Sequence, residues 1–247
     1  DHPVIVLAVS GVFDSFTLTV KAFNLSEKYR VPVILLSDEV VAHTRESVEL
    51  PLNSEIEVVD RIAPAMPPDW YRPYQEDARG VPPMATLGDG YRQHVTGLVH
   101  DQDGFPTQNP QEVEKFHQRL SMKITKGLPE IQLTRKIHMD DAEFFVLAYG
   151  SVARSAMRAV EEARKAGIRA GLIQLITLFP FPRRTLTPYL QQCHSVLVPE
   201  LNLGQISREV QRVNQGQCVV VKQNRVDGSL ITPQEIYNRL VKLSASV

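Results

Sequence analysis

The chain has 247 residues, 43% hydrophobic and 22% charged, with a formal net charge of −1, an ordinary globular balance with room for one large or two small domains. Without a basic stripe it does not read as a nucleic-acid binder, and its longest apolar runs are of strand length, too short for a membrane span. Asp1-His2-Pro3 lacks the basic start of a signal peptide and Val4–Val9 is too short for its apolar core, so the expected location is the cytoplasm.

Val4–Ala8 reads as a buried strand, followed by a helix from about Asp14 to Arg30 with Phe16, Val20, Phe23 and Leu25 as its apolar side. Pro32 breaks the helix and Val33–Leu36 is the next strand, giving a βαβ unit that needs further strands to bury its sheet. Ser37-Asp38-Glu39 closes that strand and either caps a helix over Val40–Arg45 or faces a cofactor.

From Pro51 to Gly90 periodicity fades. Besides Pro51, prolines at 64, 67, 68, 73, 82 and 83 alternate with Trp70, Tyr71 and Tyr74. So many aromatics suit an ordered arm lying on another surface rather than a flexible linker. Residues 88–108 continue it with glycine turns around a short apolar core, Val95–Val99. Arg92, His94, Thr96 and His100 lie here as candidate ligands, with a purely structural role as the alternative. Asn109-Pro110-Gln111-Glu112 is a helix start with cap, proline and acidic residue in the favoured places. The helix should run to about Lys126, with Val113, Phe116, Leu120 and Ile124 inward and Glu114, Lys115, Arg119 and Lys123 solvated.

Phe144–Ala148 is an apolar strand ending in Tyr149-Gly150-Ser151. The following helix places Val152, Ala156, Val160 and Ala163 on one face, stops at Ala166-Gly167, and leads into a strand over Ile168–Thr177. This second βαβ unit implies parallel strands with a right-handed crossover. Ligands of such units meet the chain at the carboxyl ends of the strands. Gly150 and Ser151 lie at one such end, where the helix N-terminus offers an anion or cofactor site and, alternatively, Ser151 only caps its helix. A helix over Arg183–Gln192, a strand over Ser195–Val198, the turn Pro199–Gly204 holding Glu200 and Asn202, a helix over Gln205–Asn214, a strand over Cys218–Val221 and a helix starting at Thr232-Pro233 complete an α/β domain of about four parallel strands. Cys193 and Cys218, 25 residues apart and the only cysteines, cannot complete an iron–sulfur cluster or a structural zinc site. They read as small apolar residues, and no metal site is expected on this chain.

Several stretches together carry a family resemblance. They are Ala22–Arg30 with Pro32–Glu39, Pro67–Tyr74, Gly88–Leu98 with His100-Asp101, Tyr149–Ser151, Phe179–Pro182 and Pro199–Gly204. In this order and spacing the chain resembles the alpha subunit of the 2-oxoacid:ferredoxin (acceptor) oxidoreductases, of the 2-oxoglutarate type. The resemblance implies a partial pyrimidine-type thiamine diphosphate domain over residues 1–60 and an ordered connecting segment over 61–140. A transketolase C-terminal-like parallel α/β domain over 141–247 follows. It implies oxidative decarboxylation of a 2-oxoacid to an acyl-CoA, with electrons passed to ferredoxin. The implied beta-subunit partner shares thiamine diphosphate and Mg and carries the [4Fe-4S] chemistry. The family's thiamine-activating glutamate lies upstream of the first matching position and has no counterpart here, which implies truncation or a separate chain supplying the first half. Substrate candidates are Arg92, His94, Thr96 and His100; interface or cofactor-side candidates are Gly150, Ser151, Glu200 and Asn202. Two rivals stand beside this: a non-catalytic α/β interaction or regulatory subunit, and a nucleotide-binding α/β protein. The second lacks its Gly-x-Gly-x-x-Gly fingerprint.

Overall fold

A computed structural model describes residues 2–246. Its first elements are β1 (Ile5–Ala8), α1 (Val12–Tyr29), β2 (Val33–Leu36), α2 (Glu39–His43), α3 (Pro110–Ile131) and β3 (Thr134–Ile137). Then come β4 (Phe144–Ala148), α4 (Val152–Lys165), β5 (Ala170–Leu175), β6 (Thr177–Phe179), α5 (Arg183–Gln192), β7 (Ser195–Glu200), α6 (Gln205–Asn214), β8 (Val219–Asn224) and α7 (Pro233–Ser244). They form two compact units. The first holds the N-terminal residues through Ile5, Val20–Ile34 and Pro51–Ile131; the second holds Val6–Thr19, Leu35–Leu50 and the chain from Gln132 onward.

In the second unit a five-stranded sheet runs in the order β3-β5-β4-β7-β8. β4, β5, β7 and β8 are mutually parallel, as the sequence pattern predicts, and β3 adds an antiparallel edge that it does not. Alternation along β4 sorts the core. Phe144, Val146 and Ala148 pack with the alanine-rich face of α4 and with Ile236 and Leu240 of α7. Phe145 and Leu147 point the other way, onto Leu186 and Leu190 of α5 and Ile206 and Val210 of α6. A strand buried on both faces must be apolar throughout, which is why β4 reads as an unbroken run. The expected strand over Ile168–Thr177 is in fact two: β5 stays in this sheet, and β6 leaves it to pair antiparallel with β1. The strands missing from the first βαβ unit are thus partly supplied from within the chain, in a sheet of order β2-β1-β6. The hydrogen bonds from Ile5 N to Pro32 O (3.0 Å) and from Val9 N to Leu36 O (3.1 Å) give β1 and β2 a parallel register.

The first unit buries Leu25, Tyr29, Tyr71, Val81, Phe116, Leu120, Ile124 and Ile131. Its proline-rich segment has no regular structure beyond short 3-10 turns, yet it is pinned. Arg30 Nη1 donates to the carbonyls of Pro73, Pro82 and Pro83, at 3.3, 2.9 and 3.3 Å. Tyr71 Oη donates to Pro83 O and accepts from Ala85 N. Of its aromatics, Tyr71 is buried and Trp70 is exposed.

Three expectations fail here. Val95 and Leu98 are exposed, so residues 95–99 make no core. Phe23 also faces outward; the buried side of α1 is Leu18, Leu25 and Tyr29. Lys123 does not lie on a solvated side: it is 3% exposed. α3 continues past Lys126 to Ile131, and Phe116, Leu120, Lys123, Gly127 and Ile131 form one stripe at spacings of three and four. Gly127 is required on that stripe, because a Cβ there would lie 2.5 Å from the Tyr29 ring.

Candidate functional site

The carboxyl ends of the strands are the places where α/β folds hold ligands, and acidic residues stand there. Three of them, Asp14, Asp38 and Glu200, are already committed. Asp14, just after β1, accepts from Ser10 Oγ and, at 3.1 Å, from Arg135 Nη2. Gln174 closes the network, donating to Ser10 Oγ (2.8 Å) and accepting from Arg135 Nη1 (3.1 Å). Burial would raise the Asp14 pKa, but hydrogen bonds from Ser10 and Arg135 outweigh it and hold the group below its ordinary value.

Asp38, after β2, caps two helices at once. Its Oδ1 accepts from Val41 N at 2.9 Å, the start of α2. Its Oδ2 accepts from Ser151 N at 2.7 Å, the start of α4. Asp38 therefore does act as a cap for the helix after it. Ser151 does not cap α4: its side chain makes no capping bond, and its buried Oγ has no hydrogen-bond partner. It lines a cavity of about 220 Å³ with Val41, Thr44 and Arg154, and Arg154 pairs with Glu46. Gly150 has φ +60°, and a Cβ there would come within 2.9 Å of Asp38 Oδ2, so the glycine is what lets the carboxylate reach the helix.

Glu200, the last residue of β7 and 1% exposed, accepts from Ile206 N (2.8 Å) and Ser207 N (2.9 Å) at the start of α6. Tyr149 Oη donates to it at 3.3 Å; burial first, and then the Glu200 charge, push the Tyr149 pKa up. Asn202 donates to Tyr149 Oη (2.7 Å) and accepts from Gly204 N (2.7 Å) and Gln205 N (3.0 Å). Tyr149, Glu200 and Asn202 are one network, while Gly150 and Ser151 belong with Asp38.

The four loop candidates also separate into pairs. Thr96 and His100 line a cavity of about 300 Å³ in the first unit, together with Arg30, Tyr74, Arg119 and Lys123. His100 is buried, its ring 3.7 Å from that of Tyr74 and edge-on to Phe116, with Nδ1 on Asp101 O at 3.0 Å; burial lowers its pKa. Arg92 and His94 do not line that cavity. Arg92 is exposed, and His94, also exposed, stacks on Phe105 with centroids 5.0 Å apart. Sequence reasoning missed Arg30, Arg119 and Lys123. The signal for Lys123 was its place three residues after Leu120 on the inner stripe of α3.

The described residues do not by themselves fit a thiamine diphosphate group. The N-termini of α4 and α6, where a diphosphate would be favoured, are filled by the carboxylates of Asp38 and Glu200, and Asp14 is held by Arg135. Among the described residues no group of three or more His, Cys, Asp or Glu could hold a metal ion. No helix among them is long and apolar enough to cross a membrane.

Comparison with known proteins agrees with this architecture. Residues 1–118 match the family model for the thiamine diphosphate-binding domain of pyruvate flavodoxin/ferredoxin oxidoreductases, and residues 142–236 match pyruvate:ferredoxin oxidoreductase core domain II. The chain is thus similar, over two successive segments, to thiamine-type ferredoxin oxidoreductase domains. Over 98% of its length it is 41% identical to the 2-oxoglutarate synthase subunit KorA of Methanothermobacter marburgensis, covering 64% of that protein. It is 39% identical over 96% of its length to KorA of Methanocaldococcus jannaschii, covering 63%. It thus spans a little under two thirds of these curated relatives. Its fold superposes on 2-oxoglutarate:ferredoxin oxidoreductase from Magnetococcus marinus with a TM-score of 0.90 at 26% identity, over 98% of this chain and 42% of that one.

Proposed function

We propose that the chain is the alpha subunit, or a part of it, of a thiamine-dependent 2-oxoglutarate:ferredoxin oxidoreductase, active only with its beta subunit. The observation that carries this is the likeness, along nearly its whole length, to 2-oxoglutarate synthase subunits at about 40% identity. The reaction is oxidative decarboxylation of 2-oxoglutarate to its acyl-CoA, with two electrons passed to ferredoxin. Thiamine diphosphate, with Mg, supplies the carbanion stabilisation. It is held by further polypeptide together with this chain, because the N-termini of α4 and α6 that would favour its diphosphate are filled by Asp38 and Glu200. The [4Fe-4S] chemistry lies on the partner subunit, since Cys193 and Cys218 are too few for a cluster. The relatives are enzyme subunits, which favours this reading over a non-catalytic interaction module.

Arg92 and His94, exposed on the loop after the proline-rich arm, are the substrate candidates in this reading. A 2-oxo diacid needs cationic donors for two carboxylates, and a guanidinium grips one through two parallel hydrogen bonds. The test is association followed by turnover. Purified with the beta subunit, the chain should form a stable complex that reduces a ferredoxin-level acceptor when given 2-oxoglutarate, CoA and thiamine diphosphate. Failure to associate, or association without turnover, rejects the reading.

A further inference from the structure

The 300 Å³ cavity of the first unit has a chemistry of its own. Arg30, Arg119 and Lys123 converge on it with Thr96 and His100. Lys123 sits on the buried stripe of α3, and its Nζ donates to a backbone carbonyl, Arg30 O, at 2.8 Å. Burial first, and then the neighbouring charges of Arg119 and Arg30, together lower its pKa to about 7. Arg119 lies over the Phe116 ring at 5.5 Å, and Arg30 over Tyr74 at 5.7 Å. Glu76 is the acid whose charge acts on Arg119, and it lies beyond ion-pair distance. Among the described residues, none of the three cations has a carboxylate in ion-pair contact.

Three like charges around one half-buried space oppose folding unless something compensates them. The compensation within this cavity is carbonyl oxygen and aromatic faces, which carry no net charge. Thr96 adds a directed donor: its Oγ1 accepts from Leu98 N at 3.2 Å, which leaves the hydroxyl hydrogen to give. The missing component is an anion.

We propose that this cavity binds a phosphate-bearing small molecule, with the phosphoryl oxygens held by Arg119, Lys123, Arg30 and the Thr96 hydroxyl. A carboxylate brings one charge and two oxygens. A phosphate monoester or diphosphate brings about two charges and at least three acceptor oxygens, matching two guanidinium forks and an ammonium more fully. The volume admits a phosphoryl group with a small remainder, and Leu98 offers that remainder an apolar wall. The assignment does not rest on the oxidoreductase reading: it concerns residues outside the strand-end networks and is tested by binding alone.

The experiment is isothermal titration of the purified chain with inorganic pyrophosphate, with 2-oxoglutarate in a separate arm, at low and moderate salt. We expect saturable one-to-one binding of pyrophosphate that weakens with salt. Arg119→Gln should weaken it at least tenfold, and Thr96→Val severalfold. Both positions are partly exposed, so folding is retained even where a Lys123→Met variant fails to fold. Pyrophosphate should also raise the thermal midpoint of the wild type, in proportion to occupancy, and not that of Arg119→Gln. Absence of saturable binding overturns the proposal, and so does binding indifferent to both substitutions. Tighter binding of 2-oxoglutarate than pyrophosphate, lost in the same variants, would make this an oxoacid site and equally overturn it.

Discussion

The carboxylate of Asp38 accepts the Ser151 backbone N–H at 2.7 Å while its other oxygen accepts from Val41 N at 2.9 Å. One side chain thereby holds the starts of two helices that are more than a hundred residues apart in sequence. It also fills the place where an anionic ligand would otherwise meet α4. Each cap contributes on the order of 1 kcal/mol, so Asp38→Ala should cost about 2 kcal/mol in urea unfolding. Gly150→Ala should also destabilise, because φ is +60° and the new Cβ meets Asp38 Oδ2. Combined with Asp38→Ala it should cost less than the sum of the two. Full additivity would remove the close approach from the account.

A second prediction concerns the meeting of α1 and α3 at Tyr29. Gly127→Ala puts a Cβ 2.5 Å from that ring, and the ring is fixed by Tyr29 Oη donating to Glu130 at 2.9 Å. The substitution should cost about 2 kcal/mol or more, as overpacking does. In a Tyr29→Ala background the same change should be near neutral or favourable. An equal cost in both backgrounds would place the strain elsewhere.

The buried Lys123 sets a pH dependence. Its folded pKa is about 7 and its ordinary value 10.5. Between these values the unfolded chain binds more protons than the folded one, so stability rises as pH rises from about 7 to 10.5 and the penalty is complete below 7. The full span is roughly 3 to 5 kcal/mol. Lys123→Met should flatten the slope of unfolding free energy against pH in that window. An unchanged slope would mean that Lys123 is not the titrating group.

The loop after the proline-rich arm gives a kinetic prediction for the assembled enzyme. Arg92→Ala and His94→Ala should lower kcat/KM for 2-oxoglutarate by tenfold or more, with the complex intact by size-exclusion chromatography. Normal turnover in both would make the loop structural.

Much of the second unit is legible in the sequence alone. β4, α4, β7 and α6 announce themselves because an apolar run of five, or an apolar stripe at spacings of three and four, has one economical fold. The capping box of Thr232 with Glu235 is equally plain in sequence and is formed. What stayed hidden was long-range. β6 looks like the tail of β5, since nothing local says that a strand will change sheets. Asp38 reads as the cap of its own helix, and only the three-dimensional return of Ser151 shows the second. Lys123 reads as solvated because a charge on a helix ordinarily is, and the local pattern ends α3 before Gly127 and Ile131, which extend its buried stripe. For the candidate site, the loop supplied Thr96 and His100. Arg30 lies just past the end of α1 and Arg119 on α3, and no local pattern joins them.

The most direct test of the central claim is the product formed by the complex of this chain with its beta subunit. With 2-oxoglutarate, CoA, thiamine diphosphate and oxidised ferredoxin or methyl viologen, the account predicts succinyl-CoA by mass spectrometry, one for every two electrons delivered to the acceptor. It also predicts a kcat/KM for 2-oxoglutarate at least tenfold above that for pyruvate. No acyl-CoA from any 2-oxoacid by an intact, cofactor-loaded complex would contradict the account, and preference for pyruvate would contradict its substrate.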